Sequence, residues 1–289
     1  MAQRFVLEEE LGRGGMGVVY RALDKWNGTS CAVKVLTERA DPRRFFREAR
    51  ALAHLTHPAI VRYVAHGASP LGALFLAMEW VDGTDLARRL QQSPLSIGET
   101  LALGGRLAEA LAAVHGAAIV HRDLKPSNVL LPAGRFDLAK LGDFGVSRVP
   151  RGERSSVTTT GKGILTKSGM VVGTPGYLAP EQLRGGEIDA RADLFSLGCV
   201  LYECLTGRPA FYAESSIALA LQIAIDPTPP LREHCAAVPA ELERLIAELL
   251  EKRAEARPTS VLAVLSTLRA IPNPDPTHAP DGPRTERMP

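Results

Sequence analysis

In HRDLKPSNVLL, residues 121–131, a carboxylate, an ammonium and an amide (Asp123, Lys125 and Asn128) fall within six residues, held by Pro126 beside the apolar run Val129, Leu130 and Leu131. Burying three such groups is costly unless they share a task; otherwise the stretch is a charged loop that only meets water. Upstream, LGRGGMGVVY contains Gly12, Gly14 and Gly17, and Val18, Val19 and Tyr20 after them continue as a strand instead of opening a helix. A glycine loop between two strands is either a simple tight hairpin or a flap whose backbone N–H groups come close to phosphates. Lys34 ends the alternating run CAVK among apolar neighbours, a position that calls for an anion. Phe45, Glu48, Leu52 and Leu55, spaced by three, four and three, put a carboxylate inside the core-facing stripe of a helix. Pairing Lys34 with Glu48 resolves both anomalies, and phosphates under the flap give the lysine a second partner; the alternative is that both side chains snorkel to the surface.

The elements that must position these groups are of two kinds. RFVLEEEL, VVYRALD, SCAVKVL, IVRYVAHG and ALFLAMEW predict strands, interrupted by one helix that opens at Asp41-Pro42, an N-cap residue followed by proline. After Gly83 the pattern turns helical. LALGGRLAEALAAVH ends at Gly116, DARADLFSLGCVLYECLTG is apolar on nearly every side, and AELERLIAELLEK is apolar at 242, 245, 246, 249 and 250. A small β-rich lobe before a larger α-rich lobe makes this an α+β chain.

With 289 residues and 45% hydrophobic content the chain can build a substantial core. A net charge of +2, from 34 basic and 32 acidic residues, gives no field that would steer it to nucleic acid or a membrane surface. Cys31, Cys199, Cys204 and Cys235 lack close metal-ligand spacing and suit packed thiols in a reducing cytoplasm. The opening MAQRFVLEEE has no export pattern, and no window is apolar enough to span a bilayer, so a cytoplasmic chain without a membrane segment is expected.

GRGGMGVV, AVK, HRDLKPSN, DFG at 143–145 and APE at 179–181 occur in that order, and in these motifs the chain resembles the protein kinases, most closely the bacterial serine/threonine kinases of the eukaryotic (Hanks) type. The resemblance covers about residues 5–269. It implies the bilobal protein-kinase-like fold, with an N-terminal lobe over about 5–80, a C-terminal lobe over about 84–269, and a proline-rich linker or tail over 270–289. It implies transfer of the ATP γ-phosphoryl group to Ser/Thr hydroxyls of protein substrates with Mg²⁺, or alternatively Mn²⁺. By the same resemblance Asp123 takes or orients the proton of the acceptor hydroxyl, Lys125 steadies the moving phosphoryl group, and Asn128 and Asp143 hold the metal through hard oxygens. Lys34 holds the α- and β-phosphates and Glu48 fixes it. Adenine lies between Leu11, Val19 and Ala32 above and Leu130 below, bonded to the backbone of Glu79 and Val81, with Met78 at the rear. Asp85 is either the ribose-binding acid or a helix cap. Glu181 and Arg257 match a family ion pair, and Asp193 an acid that braces the catalytic loop. Lys125 and Thr174 favour Ser/Thr over Tyr as acceptor.

The stretch from Asp143 to Glu181 spans 39 residues and carries what resembles an insertion, RGERSSVTTTGKG. After the insertion, Thr166 and Ser168 in LTKSGMVVGT are spaced like activation-loop phosphosites of related bacterial kinases. Arg122, directly beside Asp123, would receive the phosphate after autophosphorylation in trans between associating copies. The alternative sites are Thr158, Thr159 and Thr160. A pseudokinase scaffold would lack one of Lys34, Asp123, Asn128 or Asp143, and a small-molecule phosphotransferase would lack the APE segment; neither absence is found.

Overall fold

Alternating β-branched and aromatic residues build a five-stranded antiparallel sheet at the start of the chain. Its strands are β1 (Phe5–Gly14), β2 (Gly17–Asp24), β3 (Thr29–Leu36), β4 (Tyr63–Ala68) and β5 (Leu74–Glu79), in the order β1-β2-β3-β5-β4. The computed structural model describes residues 4–14, 17–36, 41–143 and 175–274. Phe5, Ala22, Cys31, Val33, Phe75 and Ala77 fill a small core on one face of the sheet. Period two then sends Leu36, Leu74 and Leu76 to the other face, where they join the main core. Lys34 lies on that second face, opposite Leu76 on β5 and Val19 on β2.

Helix α1 (Pro42–Ala53) starts as its sequence signals: the Asp41 side chain accepts the Arg43 N–H at 3.0 Å, with proline at the first helical position. It buries Phe45, Ala49 and Leu52. The chain then enters the larger lobe through β6 (Gly83–Asp85), which pairs with β7 (Val129–Pro132) and through it with β8 (Lys140–Leu141). Around this small sheet stand α2 (Leu86–Leu90), α3 (Ile97–Gly116), α4 (Pro180–Arg184), α5 (Arg191–Thr206), α6 (Ser216–Ile225), α7 (Ala240–Leu249) and α8 (Val261–Ala270). A capping box between Ser96 and Glu99 starts α3. Helix α5 is buried around most of its circumference, which is why its sequence is apolar on nearly every side. The periodicity of 240–252 does form a helix, α7, burying Leu242, Leu245, Ile246 and Leu249.

The two lobes share backbone as well as side chains. Leu141 of β8 donates its N–H to Ala59 O at 2.8 Å and accepts that of Val61 at 2.9 Å, so the lead-in to β4 is spliced onto the strand that ends two residues before Asp143. No helix among the described residues is long and apolar enough to cross a membrane. The inserted segment, Phe144 and Gly145, Thr166, Ser168 and Thr174 lie outside the described residues, as does the proline-dense stretch from 275 onward.

Candidate active site

The loop of 121–128 is held from beneath by one carboxylate. Asp193, fully buried near the start of α5, accepts the backbone N–H of His121 and of Arg122, each at 2.8 Å, and lies 2.8 Å from His115 Nε2 at the end of α3. A charge so deep is stable only with such donors. Arg122 is thereby held in the left-handed region at φ 66°, its carbonyl accepting from Gln182 Nε2 at 3.2 Å. His121 Nε2 lies 3.0 Å from Gly142 O and its Nδ1 accepts the Asp123 N–H at 3.3 Å. Burial pushes the His121 pKa down, so the ring is neutral, donating at Nε2 and accepting at Nδ1.

On this base Asp123, Lys125 and Asn128 converge. Asp123 Oδ2 lies 3.2 Å from both Lys125 Nζ and Asn128 Nδ2, and Asn128 Nδ2 also donates to Asp123 O at 2.7 Å. Asp123 and Asn128 are buried, at 6% exposure each. Because the Asn128 amide nitrogen is committed to Asp123, its oxygen is turned to the other side. The Asn128 carbonyl accepts the Gly142 N–H at 2.9 Å, which draws Asp143 up beside it. Asp143 sits in the left-handed region at φ 47°. An amide oxygen and a carboxylate on adjoining strand ends form a donor set that fits a hard divalent cation such as Mg²⁺.

The position of Lys34 corrects one expectation. Its ammonium is ion-paired with Asp143 Oδ1, not with Glu48. A lysine side chain only 9% exposed must have an anion, and the carboxylate carried in by β8 supplies it. The stripe that predicted the pair is real: Phe45, Leu52 and Leu55 are buried, with Glu48 half-buried among them. Sequence spacing fixed the side of the helix but could not give the distance from α1 to β3.

Above Lys34 the sheet face continues through Ala32, two residues back, and Val19. Both are half-buried, as are Leu130 on β7, Met78 and Val81, whereas Leu11 is exposed. Leu130 points away from the large-lobe core, into which Val129 and Leu131 are fully buried. The chain between β5 and β6 therefore borders an opening with an apolar roof and floor. Gly12 pairs with Val19 and Gly14 with Gly17, so the glycines close a β-hairpin over it. Glu79 gives its N–H to Arg62 O at 2.9 Å and pairs with Cys31 at the end of β5. Asp85 caps α2, accepting the Arg88 N–H at 2.9 Å. Glu181 and Arg257 pair as expected, through two bonds of 2.7 and 2.8 Å.

Three participants escaped sequence reasoning. Lys140 Nζ reaches Glu79 Oε1 at 2.5 Å and ties β8 to the end of β5. His115 and Gln182 brace the loop from two helices. A histidine in the last turn of α3 and a lysine within an apolar strand were the available signals, and neither names its partner.

A model for the protein kinase domain matches residues 5–268. Among characterised proteins, the chain is 36% identical to the serine/threonine-protein kinase pkn3 of Myxococcus xanthus over 94% of its own length and 50% of that protein's. It is 39% identical to the DNA damage-responsive serine/threonine-protein kinase RqkA of Deinococcus radiodurans, over 96% and 41%. With the serine/threonine-protein kinase PknB of Mycobacterium tuberculosis the figures are 37%, 97% and 45%. The chain thus spans about half the length of these relatives. Among solved structures, that of Rad53 1–466 in complex with AMP-PNP superposes with a TM-score of 0.75 at 26% identity, over 92% of this chain and 65% of that one.

Proposed function

Since the chain belongs to the protein kinase family, we propose that it transfers the γ-phosphoryl group of ATP to Ser/Thr hydroxyls of protein substrates. The observation that carries this reading is the buried convergence of Asp123, Lys125 and Asn128 within 3.2 Å. Asp123 takes the proton of the acceptor hydroxyl as the new O–P bond forms and the bond to the ADP oxygen breaks. Lys125 balances the charge spread over the phosphoryl oxygens. Asn128 and Asp143 would hold Mg²⁺, or Mn²⁺, which when bound neutralises phosphate charge. Lys34 addresses the α- and β-phosphates with Glu48 as its organiser, an arrangement that requires the lysine to be shared with or released by Asp143. Leu11, Val19, Ala32 and Leu130 enclose adenine, Glu79 and Val81 bond it through the backbone, Gly12, Gly14 and Gly17 cover the phosphates, and Asp85 reaches the ribose. Serine and threonine as acceptors are supported by the names of the relatives and by Lys125.

The reading extends to a cytoplasmic kinase whose copies associate for autophosphorylation at Thr166 or Ser168, with Arg122 as the cation that meets the phosphate. Mass spectrometry of protein expressed with and without a phosphatase tests those sites; phosphate only at 158–160 overturns them. For the reaction itself, Asp123→Asn should lower phosphoryl transfer to a basic protein substrate by roughly 10²- to 10⁴-fold while nucleotide binding changes little. Near wild-type turnover would remove Asp123 from its role.

A further inference from the structure

Four rings meet where α1 rests on β4. Phe45 and Phe46 come from α1, Tyr63 and His66 from β4. The His66 ring lies 6.1 Å from Phe45, 5.7 Å from Phe46 and 5.6 Å from Tyr63, and Phe45 meets Phe46 edge-on at 5.4 Å. Inside this cluster Tyr63 Oη and His66 Nδ1 are 2.5 Å apart.

Two residues three apart on a regular strand face opposite ways. Here the register against β5 slips between Tyr63, opposite Met78, and Ala65, opposite Ala77, and the irregularity brings both side chains to the α1 side. The contact is thus made by a local departure from strand geometry, and no step of phosphoryl transfer uses it. Tyr63 also lines, with Leu52, Leu55 and Met78, a small apolar cleft under the C-terminal half of α1. The N-terminal half, through Phe45 one turn before Glu48 and through Phe46, rests on the His66 ring instead.

We propose that the Tyr63–His66 pair is the seat that positions α1, so that both are positioning residues for the Lys34 and Glu48 site. The proposal rests on the reading of those two residues given above. With the ring neutral, the Tyr63 hydroxyl donates to Nδ1. Burial first, and Arg50 on α1 second, hold the His66 pKa below its ordinary value, while burial raises that of Tyr63 and keeps the phenol protonated. Among the described residues, Arg50 and Tyr63 are the titratable groups that act on the ring, and β5 presents Leu76 opposite it. A proton arriving at Nδ1 turns the bond round, the ring then donating to the phenol oxygen, and sets a half-buried cation near Arg50. The seat is therefore at full strength while the ring is neutral and weakens as pH falls through the lowered His66 value, when burial and Arg50 act against the cation.

Steady-state kinetics in ATP for wild type, Tyr63→Phe, His66→Phe and the double variant, at about pH 7.5 and at a pH below the His66 midpoint located by NMR titration of its ring protons, tests this. At the higher pH each single variant should show kcat/KM for ATP lowered roughly 2- to 10-fold, the loss of one hydrogen bond, and the double variant should fall no further. At the lower pH the wild type should approach the Phe variants, whereas His66→Asn, which keeps an acceptor without titrating, should hold its ratio to His66→Phe. Additive single effects, or a ratio of wild type to Tyr63→Phe that does not change with pH, overturn the proposal. Tyr63→Phe removes one oxygen and keeps the test open if a histidine variant fails to fold. Glu48→Gln separates the two readings: wild-type turnover there overturns the role of Glu48, while additive ring variants overturn the seat alone.

Discussion

The Arg257 guanidinium has no exposed surface and is satisfied by Glu181 at two points, by the carbonyls of Glu251 and Arg191, and by the face of Phe195. Removing the acid leaves a buried cation with neutral partners only. Glu181→Ala should accordingly cost about 3–5 kcal/mol, read as a lower urea midpoint, whereas a surface pair such as Arg253 with Glu255 should cost under about 1 kcal/mol. At this scale the sequence is legible where a motif fixes both partners, as for Glu181 with Arg257 and for Asp123 with Asn128. It misleads where one partner is chosen by proximity: Lys34 takes Asp143, 109 residues away, over the Glu48 that helix periodicity suggested. Tyr63 with His66 could not be read at all, because alternation sends them to opposite faces and only the strand irregularity reunites them.

Elements come together most tightly where glycine lets backbones touch. Gly17, at φ 148°, opens β2 so close to β3 that a Cβ would lie 2.2 Å from Val35 O; Gly83, at φ 153°, does the same against Leu131 O where β6 meets β7. Gly17→Ala should strain the hairpin over the nucleotide opening by about 1–3 kcal/mol, raising KM for ATP more than it lowers the urea midpoint. Gly83→Ala, in the chain joining the lobes, should lower the midpoint by a comparable amount, which urea titration of both variants checks. The strands and α1 were readable from alternation and from the Asp41-Pro42 start. The small sheet of β6, β7 and β8 was not, since strands of two to four residues hold too few side chains to show a period.

For the molecule as a whole, the lobes seen as a change of pattern near Gly83 share one core: Leu36, Phe45 and Leu76 belong to the same buried cluster as Leu131 and Phe195. Trp26 and Trp80, the two tryptophans, lie on the sheet lobe and its exit, whereas most of the helix lies beyond. Tryptophan fluorescence and far-UV circular dichroism should therefore report one coincident unfolding transition; separated midpoints would show lobes that unfold independently. The splice of Ala59 and Val61 onto Leu141 also fixes how the lobes can swing. It is a fulcrum placed beside Asp143, with the glycine hairpin at the far edge of the sheet, four strand spacings from β4 or about 19 Å. A rotation of about 10° around it would carry the hairpin about 3 Å while scarcely displacing Asp143. The molecule is geared so that its roof can open and shut for nucleotide while the acids at the pivot keep their mutual distances.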